Sequence, residues 1–67
     1  MDGFDIYLAL DDRDLAALFT GQLIAGCVNF GVIHHAGLMT WQFYFTSDDY
    51  ERIGNSLNTA IRERYVG

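Results

Sequence analysis

Apolar and polar positions alternate most regularly between Leu38 and Thr46. Met39, Trp41, Phe43 and Phe45 take one side; Thr40, Gln42, Tyr44 and Thr46 take the other. A period of two in a stretch rich in aromatic and β-branched residues predicts a strand. No other stretch holds as many large side chains, so this is expected to be the central strand, with its Met39-Trp41-Phe43-Phe45 face turned to the core. Two further stretches show the same period. In Phe4–Leu10, Phe4, Ile6, Leu8 and Leu10 oppose Asp5, Tyr7 and Ala9. In Cys27–His34, Val28, Phe30 and Val32 oppose Asn29, Gly31 and Ile33. Gly31 inside a strand suggests a bulge or the close approach of another backbone. The short, Gly-containing His34-His35-Ala36-Gly37 segment reads as the turn of a hairpin.

Between the first two strands the period changes. Leu15, Leu18, Phe19 and Leu23 recur at three- and four-residue spacing, which predicts a helix from about Asp12 to Ala25 with an apolar stripe. Asp11 or Asp12 is expected as N-cap, and Gly26 suits the position past the C-terminus. After the third strand, Ser47-Asp48-Asp49-Tyr50-Glu51 opens a second helix, with Ser47 or Asp48 as N-cap and Asp48 and Glu51 at capping-box spacing. Tyr50, Ile53, Leu57, Ala60 and Ile61 share one face, and the helix should end near Tyr65.

The predicted order is β-α-β-β-α in a single domain spanning residues 1–67. Two helices on one face of a three-stranded sheet make a two-layer α+β sandwich. The sheet order 1-3-2 places Trp41–Phe45 in the middle, as in a ferredoxin-like fold lacking its last strand. The order 1-2-3 leaves the most aromatic strand at an edge, a hazard for aggregation.

Composition narrows the possible functions. At this length a chain buries only about 60% of its unfolded surface, but 51% hydrophobic and 15% aromatic residues argue against disorder. A thin core gains stability from self-association, so a homodimer is one expectation. The chain carries four arginines, no lysine and a net charge of −5. Four scattered arginines do not make the cationic stripe that displaces phosphate counterions, so direct nucleic-acid binding is not expected. An acidic surface steers a protein toward a basic partner, and it also maintains solubility. The lone cysteine, Cys27, cannot form an internal disulfide; it fits a buried small hydrophobe in a reducing compartment. The acidic start, Met1-Asp2-Gly3-Phe4-Asp5, lacks the basic region of a secretory leader. No apolar run reaches the roughly 18 residues of a membrane span. A cytoplasmic location is expected.

The chemistry-bearing residues assemble into no catalytic or metal-binding set. Asp11, Asp12 and Asp14 precede one helix, and Asp48, Asp49 and Glu51 open the other. In the 1-3-2 order those helices start at opposite ends of the sheet, so the two acidic groups do not meet, and each suits the positive end of a helix dipole. Consecutive histidines on a strand point to opposite faces, and with Cys27 they are too few for a zinc site. Cys27 and His34 lie at opposite ends of one expected strand, more than about 20 Å apart, too far for a nucleophile and its base. No phosphate loop, Ser-His-Asp set or Cys-x-x-Cys pair is present. The sequence therefore predicts neither an enzyme nor a cofactor.

Two contact surfaces remain. The 1-3-2 order brings Asp2 and Asp5 toward Asp48, Asp49 and Glu51, making one end distinctly negative. The sheet face away from the helices is expected to carry Tyr7, Asn29, Ile33, Thr40, Gln42 and Tyr44. Tyrosines are suited to interfaces, with an apolar body and a polar tip. Asp2, Asp5, Tyr7, Gln42, Tyr44, Asp48, Asp49 and Glu51 are thus the candidate partner-binding residues, facing a protein with a basic surface. A small, acidic, cysteine-poor chain without a catalytic motif is similar in profile to the phage-borne inhibitors of host defence, the anti-CRISPR and anti-restriction proteins. That likeness implies a non-enzymatic inhibitor that occludes a basic nucleic-acid-binding surface. Antitoxins and immunity proteins share the profile, and a homo-oligomeric structural or small-ligand-binding domain is the alternative.

Overall fold

The computed structural model describes residues 3–66. The elements follow in the expected order: β1 (Ile6–Leu10), α1 (Arg13–Ala25), β2 (Phe30–His35), β3 (Thr40–Phe45), a single 3₁₀ turn (Ser47–Asp49) and α2 (Tyr50–Tyr65). The sheet order is β1-β3-β2, and β3 is antiparallel to both neighbours. The central strand is therefore the aromatic one. In register, Ile6 and Phe30 both oppose Phe45, and Leu8 and Val32 both oppose Phe43.

The core forms where α1 meets β3. Leu15, Ala16, Phe19 and Leu23 line the buried side of α1, and Ile53, Ser56 and Ala60 that of α2. Phe19, Leu23, Phe43, Phe45 and Ala60 are fully excluded from solvent. The Phe19 ring lies 5.0 Å from that of Phe43 and 5.8 Å from that of Phe45, both tilted or edge-on, the arrangement ring quadrupoles favour. Gly21 and Gly54 are exposed and lie within continuous helices.

The ends of α1 show how the chain is locally directed. Asp12 is the N-cap and accepts the Leu15 N–H at 3.1 Å. At the other end the Cys27 N–H donates to the Ile24 carbonyl at 3.1 Å and the Val28 N–H to the Leu23 carbonyl at 3.0 Å. This is a Schellman motif, and Val28 and Leu23 make its apolar contact inside the core. The left-handed residue is Cys27 (φ 57), not Gly26. Gly26 serves instead as the C-cap, where a Cβ would lie 3.3 Å from the Gln22 carbonyl oxygen.

Several boundaries differ from the sequence pattern. β2 begins at Phe30, not Cys27, because the Schellman turn occupies residues 26–28 and leaves Cys27 exposed. β2 pairs continuously from Phe30 to His35, so Gly31 makes no bulge. The hairpin turn lies at residues 36–39, and both histidines belong to the strand. Met39 adopts φ 52 in that turn and is 67% exposed, so it leaves the core face assigned to it by alternation. β1 is shorter than the Phe4–Leu10 pattern.

Candidate functional site

The topology sorts the charged residues by end. β1 starts, β3 finishes and α2 begins at one end of the sheet; β1 finishes, α1 begins and α2 finishes at the other. The first end carries Asp5, Asp48, Asp49 and Glu51 with Arg52 as its one arginine. Arg13, Arg62 and Arg64 all lie toward the second end, among Asp11, Asp12, Asp14 and Glu63. The net charge is thus concentrated where β3 runs into α2. Asp2 falls outside the described residues.

Asp5 joins this acidic end by direct contact. Its Oδ1 accepts the Ser47 N–H at 2.7 Å and its Oδ2 accepts the Ser47 hydroxyl at 2.9 Å. It caps the 3₁₀ turn from 42 positions away. The local capping box expected from Asp48 and Glu51 is not formed, and the turn has no side-chain cap of its own. The four carboxylates therefore divide by role. Asp5 is committed to Ser47. Asp49 accepts the Asn29 N–H at 3.4 Å and lies 3.8 Å from Arg52, which ties the β2 approach to the start of α2. Asp48 and Glu51 are exposed and have no hydrogen-bond or ion-pair partner among the described residues.

The opposite end holds a self-contained cluster. Asp12 accepts from Arg64 Nε at 3.2 Å and from the Tyr65 hydroxyl at 3.0 Å while capping α1. The Leu15 N–H is the chief influence that holds the Asp12 carboxyl below its ordinary range; burial opposes it more strongly than Tyr65 or Arg64 singly assists it. Asp12 in turn raises the Arg64 and Tyr65 values. These groups fasten the end of α2 to the start of α1.

The open face of the sheet is built from alternate positions: Tyr7 and Ala9 on β1, Thr40, Gln42 and Tyr44 on β3, and Gly31, Ile33 and His35 on β2. Tyr7 and Tyr44 are cross-strand partners with ring centroids 5.5 Å apart. Gln42 Oε1 accepts the Tyr44 hydroxyl at 3.1 Å and His35 Nε2 at 2.8 Å, which requires the hydrogen on that ring nitrogen. The face is thus partly pre-ordered. Asn29 precedes β2 and lies outside the paired strand. His35 is on the face and was hidden in the sequence by the turn assignment. His34 points the other way and stacks on Trp41, with centroids 4.5 Å apart and planes 6° from parallel. No group of three or more metal-ligating side chains forms among the described residues, and no helix is long and apolar enough to cross a membrane.

A third feature was not foreseen. A groove of about 330 Å³ runs between β1 and α2, lined by Ile6, Tyr7, Leu8, Phe45, Tyr50, Ile53, Gly54 and Leu57. The signal available in the sequence was Gly54, which interrupts the apolar stripe of α2 and leaves room there.

Fold and site together define a two-layer α+β sandwich with a charge-segregated surface and one open sheet face. The chain matches no protein-family model, no curated protein and no solved structure.

Proposed function

We propose that the chain is a non-enzymatic protein-binding module that covers a basic surface of its partner. The observation that carries this reading is the segregation of charge. Asp5, Asp48, Asp49 and Glu51 gather at one end, and two of them, Asp48 and Glu51, spend nothing on internal contacts. Such groups are available for long-range steering and for pairing across an interface. Tyr7, Tyr44 and Gln42 on the adjoining sheet face supply contact area at low entropic cost, because their mutual contacts already restrict them.

In its finer form the module is an inhibitor of the phage anti-defence type, occluding the nucleic-acid-binding surface of its target. The support is charge: a chain with a net charge of −5 complements a surface built to hold phosphates. It acts in a reducing, cytoplasmic compartment, a reading supported by an exposed Cys27 with no second cysteine in the chain.

The test is comparative capture. Immobilised wild-type protein and an Asp48→Lys/Glu51→Lys variant are exposed to the same lysate and washed at rising salt. The reading expects a basic protein retained by the wild type, released by salt and absent from the variant. Equal retention by both baits would overturn it.

A further inference from the structure

In the β1-β3-β2 sheet both outer strands have an unpaired edge, but their surroundings differ. Beside β2 no helix overhangs: Val32 and His34, on the helix-side face, are exposed. Beside β1 the groove of about 330 Å³ opens under α2. Tyr7 borders it although its side chain belongs to the open face, so the strand's own edge forms one wall. Tyr50, Ile53, Gly54 and Leu57 of α2 form the roof, and Ile6, Leu8 and Phe45 the apolar floor. This is the position a fourth strand would take next to β1.

We propose that this groove receives an extended strand of a protein partner, apolar at alternate positions and cationic at both ends. The proposal rests on the protein-binding reading above and names the form in which the partner is recognised. β1 is uncharged and free of proline, so its edge carries neither the charges nor the proline that commonly guard an edge strand against strand addition. Addition supplies backbone hydrogen bonds, and alternate side chains enter the groove beside Ile6 and Leu8.

Charge selects the occupant. Asp5 and Asp11 bracket β1. A second copy adding to β1 with two-fold symmetry must run antiparallel. Centred on Leu8, that pairing sets Asp5 opposite Asp11 of the other copy at both ends, and like charges directly opposite are unfavourable. Sliding the register by two residues relieves the clash but leaves only part of β1 paired. A foreign strand with Arg or Lys at each end meets opposite charge at the same places.

The probe is a disulfide-cyclised hairpin peptide whose outer strand reads Arg-Val-Thr-Val-Thr-Val-Arg, which pre-pays the ordering of the strand. A matched peptide has Glu at both ends. A Cβ at Gly54 meets nothing within 4 Å, so Gly54→Leu fits its own helix while filling the groove; Gly54→Ala serves as the folding control. Binding is read by fluorescence anisotropy and by hydrogen exchange at the Ile6–Leu10 amides. The expected result is protection of those amides by the Arg-ended hairpin, with binding about tenfold or more weaker for the Glu-ended peptide and for Gly54→Leu. Failure of the wild type to bind the Arg-ended hairpin, or unaltered binding by folded Gly54→Leu, would overturn the proposal. So would a peptide-free dimer in sedimentation with the β1 amides already protected, which would make a second copy the occupant. The acidic-surface reading fails separately. If Gly54→Leu still captures the lysate partner and Asp48→Lys/Glu51→Lys does not, the groove assignment falls alone. If the hairpin binds and is lost with Gly54→Leu while the lysine variant still captures, the acidic reading falls alone.

Discussion

Asp5 and Ser47 are joined by two hydrogen bonds, from the Ser47 N–H at 2.7 Å and its hydroxyl at 2.9 Å, across 42 positions of sequence. One carboxylate thereby fixes the start of β1 to the turn that launches α2, and it adds its charge to the acidic end. Asp5→Ala should destabilise the fold by about 1 kcal/mol, the usual net value of an exposed charge-assisted contact of this kind. Asp5→Asn, which can still accept the Ser47 N–H, should lose less. Urea titration of both variants checks the order.

Cys27 holds a left-handed conformation at the end of α1 (φ 57), a region that costs a residue with a Cβ about 1–2 kcal/mol. Cys27→Gly should therefore raise stability by about 1 kcal/mol, despite the greater flexibility of glycine in the unfolded chain. Cys27→Val should lower it. Thermal unfolding of the pair distinguishes backbone strain from a role of the thiol.

The aromatic cluster of α1 and β3 is the stability reserve. Phe43 is fully buried and touches Phe19 and Phe45. Phe43→Ala should cost about 3–5 kcal/mol, most of what a domain of this size has. Loss of the cooperative unfolding transition is the expected readout.

Asp12 gives the fold an acid-sensitive contact. Its carboxyl titrates below its ordinary range in the folded state, chiefly through the Leu15 N–H and also through Tyr65 and Arg64. A lowered folded value means that its stabilisation is fully present above the unfolded value. That stabilisation is lost as pH falls through the folded value, below about pH 4. Asp12→Asn keeps a capping oxygen but removes the titration. Its stability should thus fall less than that of the wild type between about pH 4 and pH 2, as followed by denaturant midpoints across that range.

The strand and helix order was legible because the periods were clean. Alternation in Trp41–Phe45 and the Leu15-Phe19-Leu23 stripe each favour one element only, and the excess of aromatics in β3 dictated the centre of the sheet. Legibility failed where backbone conformation overrode pattern. Met39 continues the apolar alternation in sequence but sits in a left-handed turn, and Cys27, the expected first residue of β2, is left-handed as well. Both are positions where glycine is the usual marker and neither is glycine. The capping of the 3₁₀ turn was illegible for another reason: its cap, Asp5, comes from a distant strand, so the local Asp48–Glu51 spacing misled. The acidic end was readable from topology, since the 1-3-2 order alone brings Asp5 to Ser47. The groove was not, because it depends on how far α2 overhangs β1, and sequence period carries no such distance.

The acidic end is tested most directly by the affinity of the wild type and of Asp48→Lys/Glu51→Lys for the captured partner, measured from about 50 to 500 mM salt. The account predicts wild-type binding that weakens steeply with salt and a variant that binds at least about tenfold more weakly at low salt, with both proteins equally stable. Equal affinities, insensitive to salt, would contradict it.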